Sequence, residues 1–155
     1  MPAKPIPDGY QSVTPYLIIS GANAAIEFYK DVFGASERMR LAMPGGNVGH
    51  AELLIGGSVI MLADECPEID ARSPKTVGGS PVMLHLYVED VDAVVARAAA
   101  AGAKILQPVE TKFYGDRGGS IADPFGHIWH VATHVEDVTP EETQRRAAAL
   151  NPDAP

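Results

Sequence analysis

The spacing of apolar positions changes period several times along the chain. Val13 to Ser20 is rich in β-branched and aromatic residues and predicts a strand. From Asn23 to Phe33, residues Ala25, Ile26, Tyr29, Val32 and Phe33 fall on one helical stripe, with Asn23 as the expected N-cap and Gly34 as the C-cap. Ser36 to Met43 alternates, setting Met39, Leu41 and Met43 on one face and Arg38 and Arg40 on the other. Pro44-Gly45-Gly46-Asn47 predicts a hairpin turn, Val48 to Ile55 a strand, Gly56-Gly57 a second turn and Ser58 to Ala63 another strand. The order to this point is β-α-β-β-β.

Residues 64–81 hold acidic residues, prolines and Gly78-Gly79-Ser80, and read as a linker. The pattern then restarts. Val82 to Val88 predicts a strand, and Asp90 caps a helix from Val91 to Ala101 that Gly102 ends. Lys104 to Thr111 and Gly118 to Ala122 are strand candidates, Asp123-Pro124-Phe125-Gly126 a turn and His127 to His134 a strand. A shift of 69 residues carries Leu17 onto Leu86, Ile19 onto Val88, Gly57 onto Gly126 and Ala63 onto Ala132. The halves therefore read as tandem βαβββ modules, residues 10–65 and 80–135, within one α+β domain that forms a curled mixed sheet. Thr139-Pro140-Glu141-Glu142 is a capping box that opens a C-terminal helix over 139–150, with Arg145 and Arg146 toward its far end. The proline-rich first nine residues predict an extended arm, and the final NPDAP a frayed tail.

Composition narrows the class of function. The 155 residues are 46% hydrophobic and 21% charged, within the range of ordinary globular domains. A formal net charge of −8 disfavours nucleic acid and anionic membrane as partners. No apolar run approaches the roughly 20 residues of a membrane helix, and no apolar leader opens the chain. A single cysteine, Cys66, forbids an intrachain disulfide and points to a reducing, cytoplasmic setting.

The duplicated unit resembles the vicinal oxygen chelate superfamily, which includes glyoxalase I, bleomycin-resistance proteins and extradiol dioxygenases. Ala25-Ile26-Glu27-Phe28-Tyr29 with Phe33-Gly34-Ala35 looks like its first-helix signature, and Asp123-Pro124-Phe125-Gly126-His127 like its turn before the last strand. Thr14-Pro15-Tyr16-Leu17, His50-Ala51-Glu52-Leu53, Tyr114-Gly115-Asp116-Arg117 and Ala132-Thr133-His134-Val135-Glu136-Asp137-Val138 resemble the demethylubiquinone methyltransferase-like branch. No glycine-rich nucleotide loop supports the methyltransferase label itself. The resemblance implies a cup in each module, a two-fold homodimer, and metal-ligand positions at Thr14, Met61, Met83 and His130. Of these only His130 is a credible ligand for a hard or borderline divalent ion, because thioethers bind such ions poorly.

The remaining candidates follow from shared strand faces. His85 lies two residues after Met83 and shares its face; His130, His85 and Glu52 form a conceivable divalent-metal set. His50 and Glu52 share a face; inward they form an acid–base pair or two ligands, outward a structural pair. His50, Glu52 and His130 are thus the catalytic candidates. In the cup that the resemblance implies, Tyr16, Met61, Met83 and Tyr87, with Thr14 and the histidines, would line a mostly apolar ligand pocket. Tyr114 and Arg117 flank Gly115 to Gly119, which reads as a loop able to close over a ligand, with Arg117 offering a donor fork. Two functions compete: binding of a small organic ligand without a cofactor, and a metal-dependent lyase, isomerase or dioxygenase in which a divalent metal polarises substrate oxygens.

Overall fold

A computed structural model describes residues 2–153. Among them the order is β1 (Tyr16–Ile19), α1 (Ala22–Phe33), β2 (Ser36–Ala42), β3 (Val48–Ile55), β4 (Ser58–Asp64), α2 (Pro74–Val77), β5 (Met83–Tyr87), α3 (Val91–Ala100), β6 (Lys104–Thr111), β7 (Asp116–Ala122), β8 (Ile128–His134) and α4 (Pro140–Leu150). The strands form two four-stranded sheets, ordered β1-β4-β3-β2 and β5-β8-β7-β6. In each, the first strand pairs parallel to the last and the other pairings are antiparallel. This is the tandem α+β βαβββ architecture expected from the repeat. The first unit comprises the chain to Pro81 together with Pro124–His127; the second comprises Val82–Asp123 and the chain from Ile128.

In the first unit, α1 packs its buried Ala25, Ile26, Tyr29 and Val32 against one face of the sheet. Leu17 and Ile19 of β1, Leu62 of β4 and Ala51 and Leu53 of β3 point to this face and are buried. The opposite face carries Tyr16, Met61, Glu52, His50, Met39 and Leu41. Gly34 caps α1 in the left-handed region (φ 67), where its N–H donates to the Lys30 carbonyl and the Ala35 N–H donates to that of Tyr29. The Pro124–His127 turn joins this unit: Phe125 meets Phe28 edge-on at 6.2 Å between ring centroids, and His127 Nε2 lies 2.9 Å from the Ile18 carbonyl oxygen. In the second unit, α3 lies against β6, β7 and β8. Its N-cap Asp90 accepts from the Ala93 N–H, and Thr133 on β8 accepts from the Val91 N–H.

Several local expectations are corrected. Asn23 does not cap α1. The helix begins one residue earlier, and its first N–H groups, from Gly21 and Ala22, donate to Asp64 Oδ1 at 3.1 and 2.9 Å. Asp64 Oδ2 also accepts from the Val48 N–H at 2.7 Å, so one carboxylate at the end of β4 joins the helix start to the start of β3. Asn23 instead donates to the Gly46 carbonyl and accepts from Arg40. The 64–81 segment is folded: it holds a short 3₁₀ turn, Pro67–Ile69, and α2, and Glu65 accepts from the Ser73 N–H and the Thr76 hydroxyl. The N-terminal arm bends at Asp8-Gly9 and is not extended throughout. Arg145 and Arg146 lie mid-helix, since α4 runs on to Leu150; they pair with Glu142, and Arg146 also with Glu136. Of the tail, residues 154 and 155 lie outside the described residues.

Gly115 to Gly119 is not a free loop. β7 already begins at Asp116, and the turn before it is pinned, with the Gly115 carbonyl accepting from the Val135 and Glu136 N–H groups. Gly115 has φ 100, and a Cβ there would lie 2.1 Å from the Glu136 carbonyl oxygen, so only glycine fits. Replacing Asp64 with Ala strands three backbone donors at once. We expect it to cost about 2 kcal/mol, read as a lowered urea midpoint with an unchanged slope. A midpoint equal to wild type would show that the cap is dispensable.

Candidate functional site

Strand register decides which side chains meet. Tyr16 of β1 is paired with Met61 of β4, Met61 with Glu52 of β3, and Glu52 with Met39 of β2. Paired residues share a face, so these four form a row across the helix-free side of the first sheet. The equivalent row in the second unit is His85, His130, Ser120 and Gln107. The register thus sets Tyr16, rather than Thr14, opposite Met61, and His85, rather than Met83, opposite His130.

In the first unit the row is joined by a chain of polar contacts. Glu52 is buried, at 5% exposure, yet both of its oxygens are engaged. Oε1 accepts from the Tyr10 hydroxyl and Oε2 lies 2.9 Å from His50 Nε2. His50 Nδ1 in turn lies 2.7 Å from the Tyr16 hydroxyl. An ionised Glu52 accepts from Nε2–H, which leaves Nδ1 as the acceptor of the Tyr16 proton. The hydrogen bonds from His50 and Tyr10 hold the Glu52 carboxyl below its ordinary range despite its burial. The Glu52 bond and charge push the Tyr10 phenol up; burial, then Glu52, pushes Tyr16 up. The Arg38 guanidinium sits 4.8 Å above the Tyr10 ring and holds the arm from its outer side. A pocket of about 540 Å³ opens beside this chain, lined by Pro7, Tyr10, Gln11, Ser12, Thr14, Glu52 and Met61.

The second unit holds two clusters. His85 and His130 lie with ring centroids 5.0 Å apart, and His130 Nδ1 is 3.0 Å from the Ser120 hydroxyl. His130 Nε2 is buried without a partner among the described residues, against Gly118, where a Cβ would approach it to 2.8 Å. Burial, with the electrostatic influence of neighbouring His85 and Lys112, lowers the His130 pKa and favours neutral imidazole. Beside it, Asp116 accepts from the Tyr87 hydroxyl at 2.7 Å and lies 2.8 Å from His134 Nδ1, while His134 Nε2 lies 2.8 Å from Asp137. Burial pushes Asp116 up, but the His134 and Tyr87 bonds outweigh it and hold the carboxyl low. Asp116 and Asp137 raise His134. A shallower pocket of about 440 Å³ is lined by Tyr87, Val88, Glu89, Thr133 and His134.

The structure thus brings His50, Glu52 and Tyr16 together, with Thr14 and Met61 at the adjoining pocket. It brings His85 to His130 and Tyr87 to the second pocket. Met83 and Tyr114 are exposed and enter neither cluster. The Arg117 fork is filled by Asp92, with Nε and Nη2 each 2.8 Å from a carboxylate oxygen. Asp123 accepts from the Trp129 indole in the core. Sequence reasoning missed Tyr10, Asp116 and Asp137: a tyrosine in a proline-rich arm and two aspartates in apparent loops give no periodic signal.

Donor chemistry tests whether a resident divalent ion fits. Among the described residues no three His, Cys, Asp or Glu side chains are grouped for a metal. His85 and His130 supply two imidazoles with no third strong donor, and both Glu52 oxygens are occupied. Neither unit by itself supplies the three protein ligands usual for zinc.

Comparison with known proteins places the chain. The profile of the Glyoxalase/Bleomycin resistance protein/Dioxygenase superfamily matches residues 12–131. The chain belongs to this superfamily. It is 40% identical over 136 residues to an uncharacterized protein of Mycobacterium bovis, covering 86% of this chain and 90% of that one. Among solved structures it is similar to TioX from Micromonospora sp. ML1, at TM-score 0.62 and 28% identity over 81% of this chain and 99% of that one. The fold is also that of the fosfomycin resistance protein FosX from Listeria monocytogenes, at TM-score 0.63 and 18% identity over 86% and 97% of the two chains. No helix among the described residues is long and apolar enough to cross a membrane.

The shifted groups give a pH dependence with a definite sign. The lowered Glu52 and Asp116 stabilise the fold above their unfolded values of about 4.5 and 3.8, and that contribution is lost as pH falls through their folded ones. The raised His134 stabilises below about pH 6.5, and its contribution is lost as pH rises through its folded value. The urea midpoint of wild type relative to His134→Gln is therefore expected to fall between pH 6 and pH 8. Parallel midpoints across that interval would remove His134 from the account.

Proposed function

We propose that the protein binds a small organic ligand in a cup walled by the helix-free face of the first sheet and the N-terminal arm. The pocket beside Glu52 carries this reading. Its volume of about 540 Å³ suits a small molecule, and its lining combines apolar Met61 and Pro7 with the hydroxyls of Ser12 and Thr14 and the Gln11 amide. Binding needs no cofactor in this reading. The site favours uncharged ligands, because Glu52 is ionised and Arg38 is turned onto the Tyr10 ring.

A homodimer in a cytoplasmic setting completes the proposal. Met39 and Leu41 on edge strand β2, and Ile105 and Leu106 on edge strand β6, are 43–52% exposed, which is apolar edge surface suited to burial by a second copy. The lone thiol of Cys66 suits a reducing compartment.

The test is a thermal-shift screen with uncharged planar compounds, followed by calorimetry. A ligand at 100 times its Kd should stabilise the fold by about 2.7 kcal/mol, and Thr14→Trp, which fills the pocket, should abolish the effect. Stabilisation that survives in Thr14→Trp would place binding elsewhere.

The second reading is a metal-dependent lyase, isomerase or dioxygenase, and the bare, buried His130 Nε2 beside His85 favours it. We expect protein purified without added metal to hold well under one equivalent of zinc, nickel or manganese. Any weak uptake should vanish in His130→Ala. A full equivalent that survives this substitution would overturn the expectation.

A further inference from the structure

The two tyrosines, His50 and Glu52 are more than pocket wall. They are ordered as hydroxyl, imidazole and carboxylate, with contacts of 2.7 Å from Tyr16 to His50 and 2.9 Å from His50 to Glu52. A base within reach of a hydroxyl and oriented by a third group is the arrangement that moves protons. The two ends differ in access. Glu52 is buried and fixed by Tyr10, whereas Tyr16 is 46% exposed and is paired with Met61 of the pocket wall. Tyr10 closes the inner end: it fills the second carboxylate oxygen, so Glu52 is held as an acceptor on both sides and neither oxygen is free to take a proton from the substrate. A proton arriving at the exposed end therefore has one path inward, and the imidazolium it makes lies against a carboxylate that neutralises it.

Resting on the small-molecule pocket proposed above, we propose that Tyr16, His50 and Glu52 form a metal-independent proton-transfer site for an uncharged organic substrate bearing an acidic C–H. The substrate C–H bond breaks and its proton passes to Tyr16 Oη, as the Tyr16 proton passes to His50 Nδ1. The electron pair stays with the substrate and moves into an adjoining electron-withdrawing group or expels a leaving group. Glu52 is a positioning residue that fixes the imidazole tautomer and balances the charge formed. An uncharged substrate is required, since an anion would meet Glu52 while the nearby Arg38 is committed to Tyr10 and the Gly9 carbonyl.

The probe is 5-nitrobenzisoxazole, an uncharged planar molecule. Loss of its C3 proton forms a nitrile, breaks the N–O bond and releases a coloured phenolate without any oxidant or reductant. Its unreactive analogue 3-methyl-5-nitrobenzisoxazole, which is also uncharged and lacks the C3 proton, reports binding separately, by calorimetry. We expect phenolate release above buffer that is unaffected by EDTA, falls about 100-fold in His50→Gln and in Tyr16→Phe, and in Glu52→Gln loses kcat with KM unchanged. Circular dichroism confirms that each variant is folded. If the analogue binds but release is absent, or persists in His50→Gln, or requires metal, the proton-transfer site is overturned and the binding pocket stands. If neither compound engages the protein, both readings fall.

Discussion

The parallel pairing of the first strand of each module with its last is the constraint on which the rest depends. α1 carries the chain from β1 to the opposite edge strand β2, and α3 carries it from β5 to β6; the antiparallel strands that follow then bring β4 back beside β1 and β8 back beside β5. Once β1 lies beside β4, Tyr16 stands against Met61, and Glu52 follows one strand further. Once β5 lies beside β8, His85 stands against His130. The helix packs on one face of each sheet, and the Glu52, His130 and Asp116 clusters grow from the other face or its rim.

The duplication then explains how two different sites arise from one plan. The same row reads Tyr16, Met61, Glu52 in one unit and His85, His130, Ser120 in the other. Where the first unit has a carboxylate tied to a histidine on its own strand, the second has a serine beside a half-satisfied histidine. A buried carboxylate must be paired, and Tyr10 and His50 pair it. A buried neutral imidazole tolerates one bare nitrogen at lower cost. The chemistry of the two faces has diverged while their backbones have kept register.

Much of the fold was legible because it rests on periodicity. The strand at Val48–Ile55 and the turns at Gly45-Gly46 and Gly56-Gly57 carry their own signals, and so does the helix ending at Gly34. What was not legible depends on partners distant in sequence. Asn23 has the right chemistry for a cap, yet Asp64 takes the role from 42 residues away. Gly115 to Gly119 looks mobile from composition, yet β8 and the Glu136 segment hold it. Arg117 looks available until Asp92 of α3 is seen to fill its fork. The shared face of His50 and Glu52 was readable from their spacing. That the pair extends to Tyr16 and Tyr10 was not, because a tyrosine at the start of a strand or next to a proline-rich arm carries no mark of its contacts.

The Asp64 carboxylate has a consequence for the order in which this module can assemble. The first turn of α1 has no cap of its own: its N–H groups find their acceptor only when the end of β4 has arrived. Helix and sheet therefore cannot mature one after the other. A nascent chain that has emerged only as far as β2 holds a helix with a frayed start, and closing the parallel pair finishes helix and sheet in a single event. The start of the helix is in this sense non-local, completed between two segments that the chain synthesises some forty residues apart.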